Sequence, residues 1–414
     1  MSPGGLYYYD MSKAGDTDHV LAKEGEEVEN ENKKHPEEQD EEDKPYVGHV
    51  GPISIKAVTN MKSQYSNRGV DRANHTRRFQ EILGASLRTI LQIVDRKLVP
   101  NCPITRIYNI KMADHNIYGP SRAHLKGKTV HRSTDHVVDN ITTLPATIMA
   151  KCMSVTLCAD FIFINAVRFF TTMSRHIQFV SGLHIADVTT ETLEASLKSV
   201  RNIYLKCSLK ITNLNMDSQF KPVRDKAHGM GMTLNTVSAD EHVPEIERCN
   251  IVIKERVRSA KATLPFIKLT VWFLIELVAT CIFWHNILSA HTGISTTMSP
   301  RSIITGMELD YYKYCKIQTG EYVQTHLKGN NTMNLRTIGA VALRPTGNSQ
   351  GGYFYISLKT GKQLNRGFCT PLPTPAQVID HVHAIAKKAP DDLIFGDRNN
   401  NPLPATIPFV DIGP

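Results

Sequence analysis

Three acidic residues define the chemistry this sequence can support: Asp160, Asp217 and Glu247. Asp160 sits in the middle of TLCADFIFIN (156–165), a run of strand length rich in β-branched and aromatic residues that reads as a strand buried on both faces. An ionised carboxylate in a dry strand costs several kcal/mol unless a metal, a cation or an open cleft compensates it. On that stretch alone, a strand-end acid reaching solvent accounts for Asp160 equally well. Asp217 closes a second strand-like run, SLKITNLNMD (208–217), and Glu247 lies near the start of a helical pattern. Three carboxylates brought close together repel one another and resist ionising together. Two divalent cations roughly 3.5 to 4 Å apart remove that conflict, activate water and stabilise the leaving oxygen of a phosphoryl transfer. Hard oxygen ligands select Mg²⁺ or Mn²⁺ over zinc. Chemistry on a phosphodiester follows.

Those residues need elements that bring them together. After TLCADFIFIN come AVRFFTTMSR and HIQFVSGLHI, two more β-rich runs at hairpin distance, which predict an antiparallel meander of three strands. Thr189-Thr190-Glu191 opens an amphipathic helix with Leu193, Leu197, Val200 and Tyr204 on one face, and SLKITNLNMD then returns as a fourth strand. A β-β-β-α-β order requires the helix to cross over and deliver that strand parallel to an existing one, most simply beside the first. Such a pairing sets Asp160 next to Asp217.

The strand-like MTLNTVSAD (232–240) comes next, and then a helix from about His242 to Thr263, with Pro244 in the first turn, where its missing N–H is harmless. Ile246, Cys249, Ile253, Val257 and Ala260 make the buried face of this helix. The neighbouring stripe reads Glu247, Ile251, Lys254, Arg258 and Lys261, so one carboxylate heads a line of cations. Helix cations usually form a solvated face; contact with a DNA backbone is the functional reading of these three. Glu245 points about 200° away from Glu247 around the helix, toward a different surface. His242 precedes the helix, where a lone histidine is more often a loop residue than a base.

The flanks bound the rest. From Asp16 to Lys44 there are 13 acidic residues against 4 lysines, a net charge of −9 that leaves +17 on the remainder. A basic body with an acidic tail suits a polyanionic partner, nucleic acid before an anionic membrane. The tail, 1–45, is too polar to bury a core and is expected to be disordered. RRFQEILGASLRTILQIVDR within 67–100 reads as one helix, NCPITRIYNIKMADHNIYGP as a shorter one ending at Gly119-Pro120, and SRAHLKGKTVHR (121–132) as a basic connector. LTVWFLIELVATCIFW (269–284) is short of the roughly 20 residues a membrane span needs and contains Glu276, so a buried core helix is expected. GEYVQTHL, TIGAVALRP, GGYFYISL and QLNRGFCTPLP are short strands with Gly and Pro punctuation, the pattern of a small barrel or sandwich, and 375–389 can form one more helix. Eight cysteines without a C-x-x-C pair and the absence of a signal-peptide pattern point to reduced intracellular thiols rather than a zinc site.

With those stretches in view, residues from about 100 to 373 resemble the integrase region of a copia-type retrotransposon polyprotein, and look most like a branch found in diatom and oomycete elements. The likeness rests on NCPITRIYNIKMADHNIYGPSRAHLKGKTVHR, ADFIFINAVRFFTTMSRHIQF, SADEHVPEIERCNIVIKERVRSA and TIGAVALRPTGNSQGGYFYISLKTGKQL, in that order, spread over about two-thirds of the chain. It implies an α/β, ribonuclease H-like catalytic core over 150–305, a mixed five-stranded sheet with flanking helices. It places a helical pre-integrase region and basic connector over 46–149, a small β-barrel-like domain over 306–373, and a helix with a loose linker over 374–414. Carried over by position, the family's D-D-E triad falls on Asp160, Asp217 and Glu247, as catalytic residues and as ligands of two Mg²⁺ or Mn²⁺ ions. The basic residue that the family sets two turns after the glutamate, against the element's end DNA, falls on Lys254. Asp217 and Glu247 are 30 residues apart, shorter than the family pattern, and the usual Asp-Asn pair reads Asp217-Ser218. No His-His-Cys-Cys zinc module precedes the core.

The resemblance implies DNA strand transfer: 3′-end processing of element DNA and its joining to target DNA. It also implies a fragment of a longer polyprotein, working as a homo-multimer in the nucleus after a cytoplasmic particle stage, with no membrane partner and no small-molecule cofactor. Two other readings stay open, a catalytically inactive DNA-binding protein that keeps the basic surfaces, and a ribonuclease acting on RNA–DNA hybrids, which the same core fold also serves.

Overall fold

The computed structural model describes residues 57–84, 86–104, 110–129, 141–236, 243–288, 293–327 and 332–388. The acidic stretch 16–44, His242 and the Pro- and Asn-rich end lie outside the described residues.

The centre is an α/β unit with a mixed five-stranded sheet, built from β1 (Ser154–Ile164), β2 (Val167–Ser174), β3 (Val180–His184), β4 (Lys210–Met216) and β5 (Thr233–Thr236). The strand order is β3-β2-β1-β4-β5. β1, β2 and β3 pair antiparallel, whereas β4 joins β1 in parallel and β5 joins β4 in parallel. Asn165 and Ala166, with φ of 48° and 65°, take the two left-handed positions that a tight two-residue hairpin between twisted strands demands. The crossover helix Thr190–Lys206 is capped by Thr189, whose hydroxyl accepts from the Thr192 N–H, and it buries Leu193, Leu197, Val200, Ile203 and Tyr204. One face of the sheet, with Leu157, Ala159, Leu214 and Met216, packs beneath that helix. The other face, with Cys158 and Ile162, is covered by two helices, Pro244–Thr263 and Val271–His285.

Helix Val271–His285 buries 11 of its 15 side chains, as a helix that is apolar all round must. Among the described residues no helix is long and apolar enough to cross a membrane. Its Glu276 is 2 % exposed and pairs with the 3 %-exposed Arg344 at 3.1 Å, while the Gln363 amide donates to the other carboxylate oxygen at 3.2 Å. Both partners lie in a second sheet, β6 (Tyr322–His326), β7 (Thr337–Pro345), β8 (Tyr353–Ser357), β9 (Gln363–Arg366) and β10 (Cys369–Pro371), antiparallel throughout and ordered β10-β6-β7-β8-β9. Among the described residues β9 and β10 do not pair, so these strands form one open sheet rather than a closed barrel or a two-sheet sandwich. Tyr322, Val341 and Leu343 share a core with the two covering helices and with Val378 and Val382 of the last helix, Ala376–Lys388.

The helical region before the sheet departs from the single helix expected over 67–100. It consists of Asn67–Leu83 and Leu87–Asp95, separated at Gly84, whose φ of 56° ends the first helix with its N–H on the Gln80 and Glu81 carbonyls. A glycine in that conformation is a common helix stop, and Ser86 then caps the second helix by accepting from Thr89 N–H. Ile82 and Leu83 are therefore exposed instead of continuing a buried stripe. Within the basic connector after Pro120, Arg122–Lys128 form a short helix, and residues 130–132 lie outside the described set.

Candidate active site

The parallel register of β1 and β4 pairs Ala159 with Met216, so the next residue of each strand, Asp160 and Asp217, meets its neighbour at the same level of the sheet. Both are half-buried. Asp217 begins a 3₁₀ turn, Ser218–Val223, and its carboxylate accepts the Ser218 N–H at 2.7 Å. That short local bond fixes the side chain where the strand ends.

Asp160 has a local bond of the same kind and a second, distant partner. Its Oδ1 accepts the Phe161 N–H at 2.7 Å and its Oδ2 accepts the Asn250 side-chain amide at 3.1 Å. Asn250 is 6 % exposed, and its own oxygen accepts the Thr171 hydroxyl at 2.8 Å. Thr171 is the cross-strand partner of Asp160, and its hydroxyl also lies 3.1 Å from the Asp160 carbonyl oxygen. A chain of polar contacts thus runs from β2 through the covering helix back to the carboxylate. The sequence reading missed Asn250, although a signal was present. Ile246, Asn250, Ile253 and Val257 are spaced four, three and four, so the asparagine lies within the buried stripe, where an amide requires partners.

Burial pushes the Asp160 carboxyl above its ordinary range, and the charges of Asp217 and Glu247 add to the rise. The Phe161 N–H and the Asn250 amide pull the other way. Glu247, exposed in the first turn of its helix, is thereby within electrostatic reach of Asp160. Among the described residues no three His, Cys, Asp or Glu side chains are arranged to hold a metal ion. The donor set still suits Mg²⁺ chemically: this ion retains several waters and takes one or two carboxylates plus substrate phosphates, and Asp160 with Asp217 supplies that pair. Each carboxylate oxygen bonded to one N–H keeps acceptor capacity for a cation.

Glu245 faces elsewhere, as its position around the helix predicts. It pairs with Arg175 at 2.6 Å, near the buried Cys158 thiol. That thiol is raised first by burial and then by Glu245, against the lowering influence of Arg175 and Asn215. Farther along the helix, Lys254 is half-buried, Arg258 and Lys261 are exposed, and among the described residues none of the three has an ion-pair partner. Ile251, on the same stripe, is 57 % exposed. Beside the carboxylates, Asn213 and Asn235 are exposed, and the Asn235 amide donates to Asn215 at 3.2 Å. The site is therefore an open polar surface.

No protein-family model matches this sequence, and no curated protein matches it. Among solved structures, the catalytic core domain of BIV integrase is similar over 36 % of this chain and 92 % of that one, with 13 % identity and a TM-score of 0.29. A likeness of that strength establishes neither activity nor substrate.

Proposed function

We propose that the protein is a metal-dependent polynucleotidyl transferase, an integrase of the copia type with a ribonuclease H-like core. The observation that carries this reading is the parallel β1–β4 register, which brings Asp160 level with Asp217 beneath a helix whose Glu247 charge helps to raise the Asp160 carboxyl. Asp160 and Asp217 would hold Mg²⁺ or Mn²⁺, with Glu247 completing the set once the nucleic acid is bound. The bound cations supply an activated water and charge neutralisation at the phosphodiester. The chain's own contribution is orientation. Phe161 N–H, Asn250 and Ser218 N–H each fix a carboxylate oxygen, so little reorganisation accompanies the reaction. Lys254, Arg258 and Lys261 line the route away from Glu247 and would neutralise backbone phosphates of element or target DNA. A homo-multimer holding two DNA ends in the nucleus belongs to the same reading.

The test is turnover of a labelled duplex oligonucleotide with Mn²⁺. Nicking or joining by the parent, lost in Asp217→Asn with salt-sensitive binding retained, supports the proposal. The second reading, a DNA-binding protein without catalysis, is favoured by the lack of a closed three-carboxylate group among the described residues. Binding without turnover selects it. Turnover of an RNA–DNA hybrid alone selects a ribonuclease.

A further inference from the structure

The helix that carries Glu247 starts without a side-chain cap. Val243 occupies the N-cap position and offers no acceptor, and Pro244 follows in the first turn. The first backbone bond, from Glu247 N–H to the Val243 carbonyl, is long at 3.3 Å. A helix start without a side-chain cap frays more readily, so contacts between its first turn and the sheet matter more.

We infer that the Arg175–Glu245 ion pair is a positioning clamp that fixes the first turn of this helix and, through it, Glu247 relative to Asp160 and Asp217. The inference rests on reading Glu247 as part of the site. Arg175 is well suited to anchor a clamp. It follows the last residue of β2 in a tight turn where Gln178 N–H donates to the Ser174 carbonyl at 2.8 Å and Phe179 N–H to the Ser174 hydroxyl at 3.1 Å. Its own N–H donates to Thr156 of β1 at 3.0 Å, and its carbonyl accepts the Gln178 side-chain amide at 3.3 Å. From that fixed base the guanidinium reaches Glu245 at 2.6 Å.

Glu245 and Asn250 thus tie the helix to the sheet at two points, and Glu247 lies between them in sequence. The pair is close to neutral toward the helix macrodipole, because Glu245 in the first turn favours it and the Arg175 cation beside it opposes it. Nor does it hold the fold together: its side chains are 43 % and 37 % exposed, and pairs so placed stabilise little. What remains is geometry. Arg175 is accordingly a positioning residue and takes no part in bond making.

The experiment is hydrogen exchange on the full chain, read in peptides covering 244–251 and in those covering β1 to β3. Arg175→Ala and Glu245→Gln should each speed exchange in 244–251 by about two- to fivefold, the range an exposed ion pair can supply, with the strands and the melting temperature unmoved. Arg175→Lys, which keeps the charge, should remain close to the parent. Unchanged exchange in 244–251, or acceleration spread equally over the strands, overturns the clamp. Mn²⁺ titration separates the two levels of inference: a parent that binds no Mn²⁺ removes the metal-site reading, while the exchange data still decide whether the pair holds this turn.

Discussion

If Asp160 and Asp217 hold a cation as proposed, replacing Asn250 by alanine should weaken Mn²⁺ binding by one to two orders of magnitude, although Asn250 is not itself a proposed ligand. The side chain is 6 % exposed and makes two contacts, donating to Asp160 Oδ2 at 3.1 Å and accepting from Thr171 at 2.8 Å. Loss of an outer-shell partner of a metal ligand, taken as a class, costs about 10–100-fold in affinity. Thr171→Val keeps the volume and removes only the hydroxyl that orients the amide, so its loss should be smaller, under about tenfold. Isothermal titration with Mn²⁺ at neutral pH measures both, with thermal unfolding as the check that each variant is folded. Parent-like affinity in a folded Asn250→Ala protein would refute the reasoning, since the one side-chain hydrogen bond to the Asp160 carboxylate among the described residues would then be dispensable.

Asp160→Asn should raise the stability of the metal-free protein at neutral pH. Its native carboxyl lies above the ordinary 3.8, so the native state keeps the proton longer than the unfolded chain, and stability falls as pH rises from 3.8 through the raised native value. The difference from the parent should vanish below that window in a pH series of urea melts; a variant less stable than the parent at neutral pH would contradict it. Glu276→Gln leaves the 3 %-exposed Arg344 without its counter-charge and should cost about 3–5 kcal/mol, whereas Glu276→Leu with Arg344→Met should come out near neutral. Urea unfolding reads both, and a single substitution costing under about 1 kcal/mol would place the pair in solvent. Neutralising Lys254, Arg258 and Lys261 together should flatten the log–log salt dependence of duplex binding by up to about 2.7, close to 0.9 for each cation that meets a phosphate. An unchanged slope would mark the stripe as a solvated face.

The features legible in the sequence were those set by local pattern. Three β-rich runs in series, the Thr189 cap and the helix that follows leave few ways to return a fourth strand, and β4 does lie parallel beside β1. Asp160 and Asp217 come level because each is the residue after a paired position, an alignment that depends on the register shift between Val155 and Thr156 and that strand periodicity does not announce. Other features depend on partners far along the chain. Arg344 is 68 residues from Glu276, and Thr171 is 79 from Asn250, distances over which no spacing rule operates. Arg175 carried no signal because a turn arginine is ordinarily a solvated one. Gly84 was a readable stop signal outweighed by the apolar spacing on either side of it.

Mn²⁺-dependent turnover of a labelled DNA duplex by the full chain tests the central claim most directly. The account predicts nicked or joined product from the parent and none from Asp160→Asn or Asp217→Asn, with all three proteins binding the duplex in the same salt-dependent way. Product from the aspartate variants at the parent's rate, or duplex binding by the parent with no product at any Mn²⁺ concentration, would contradict it.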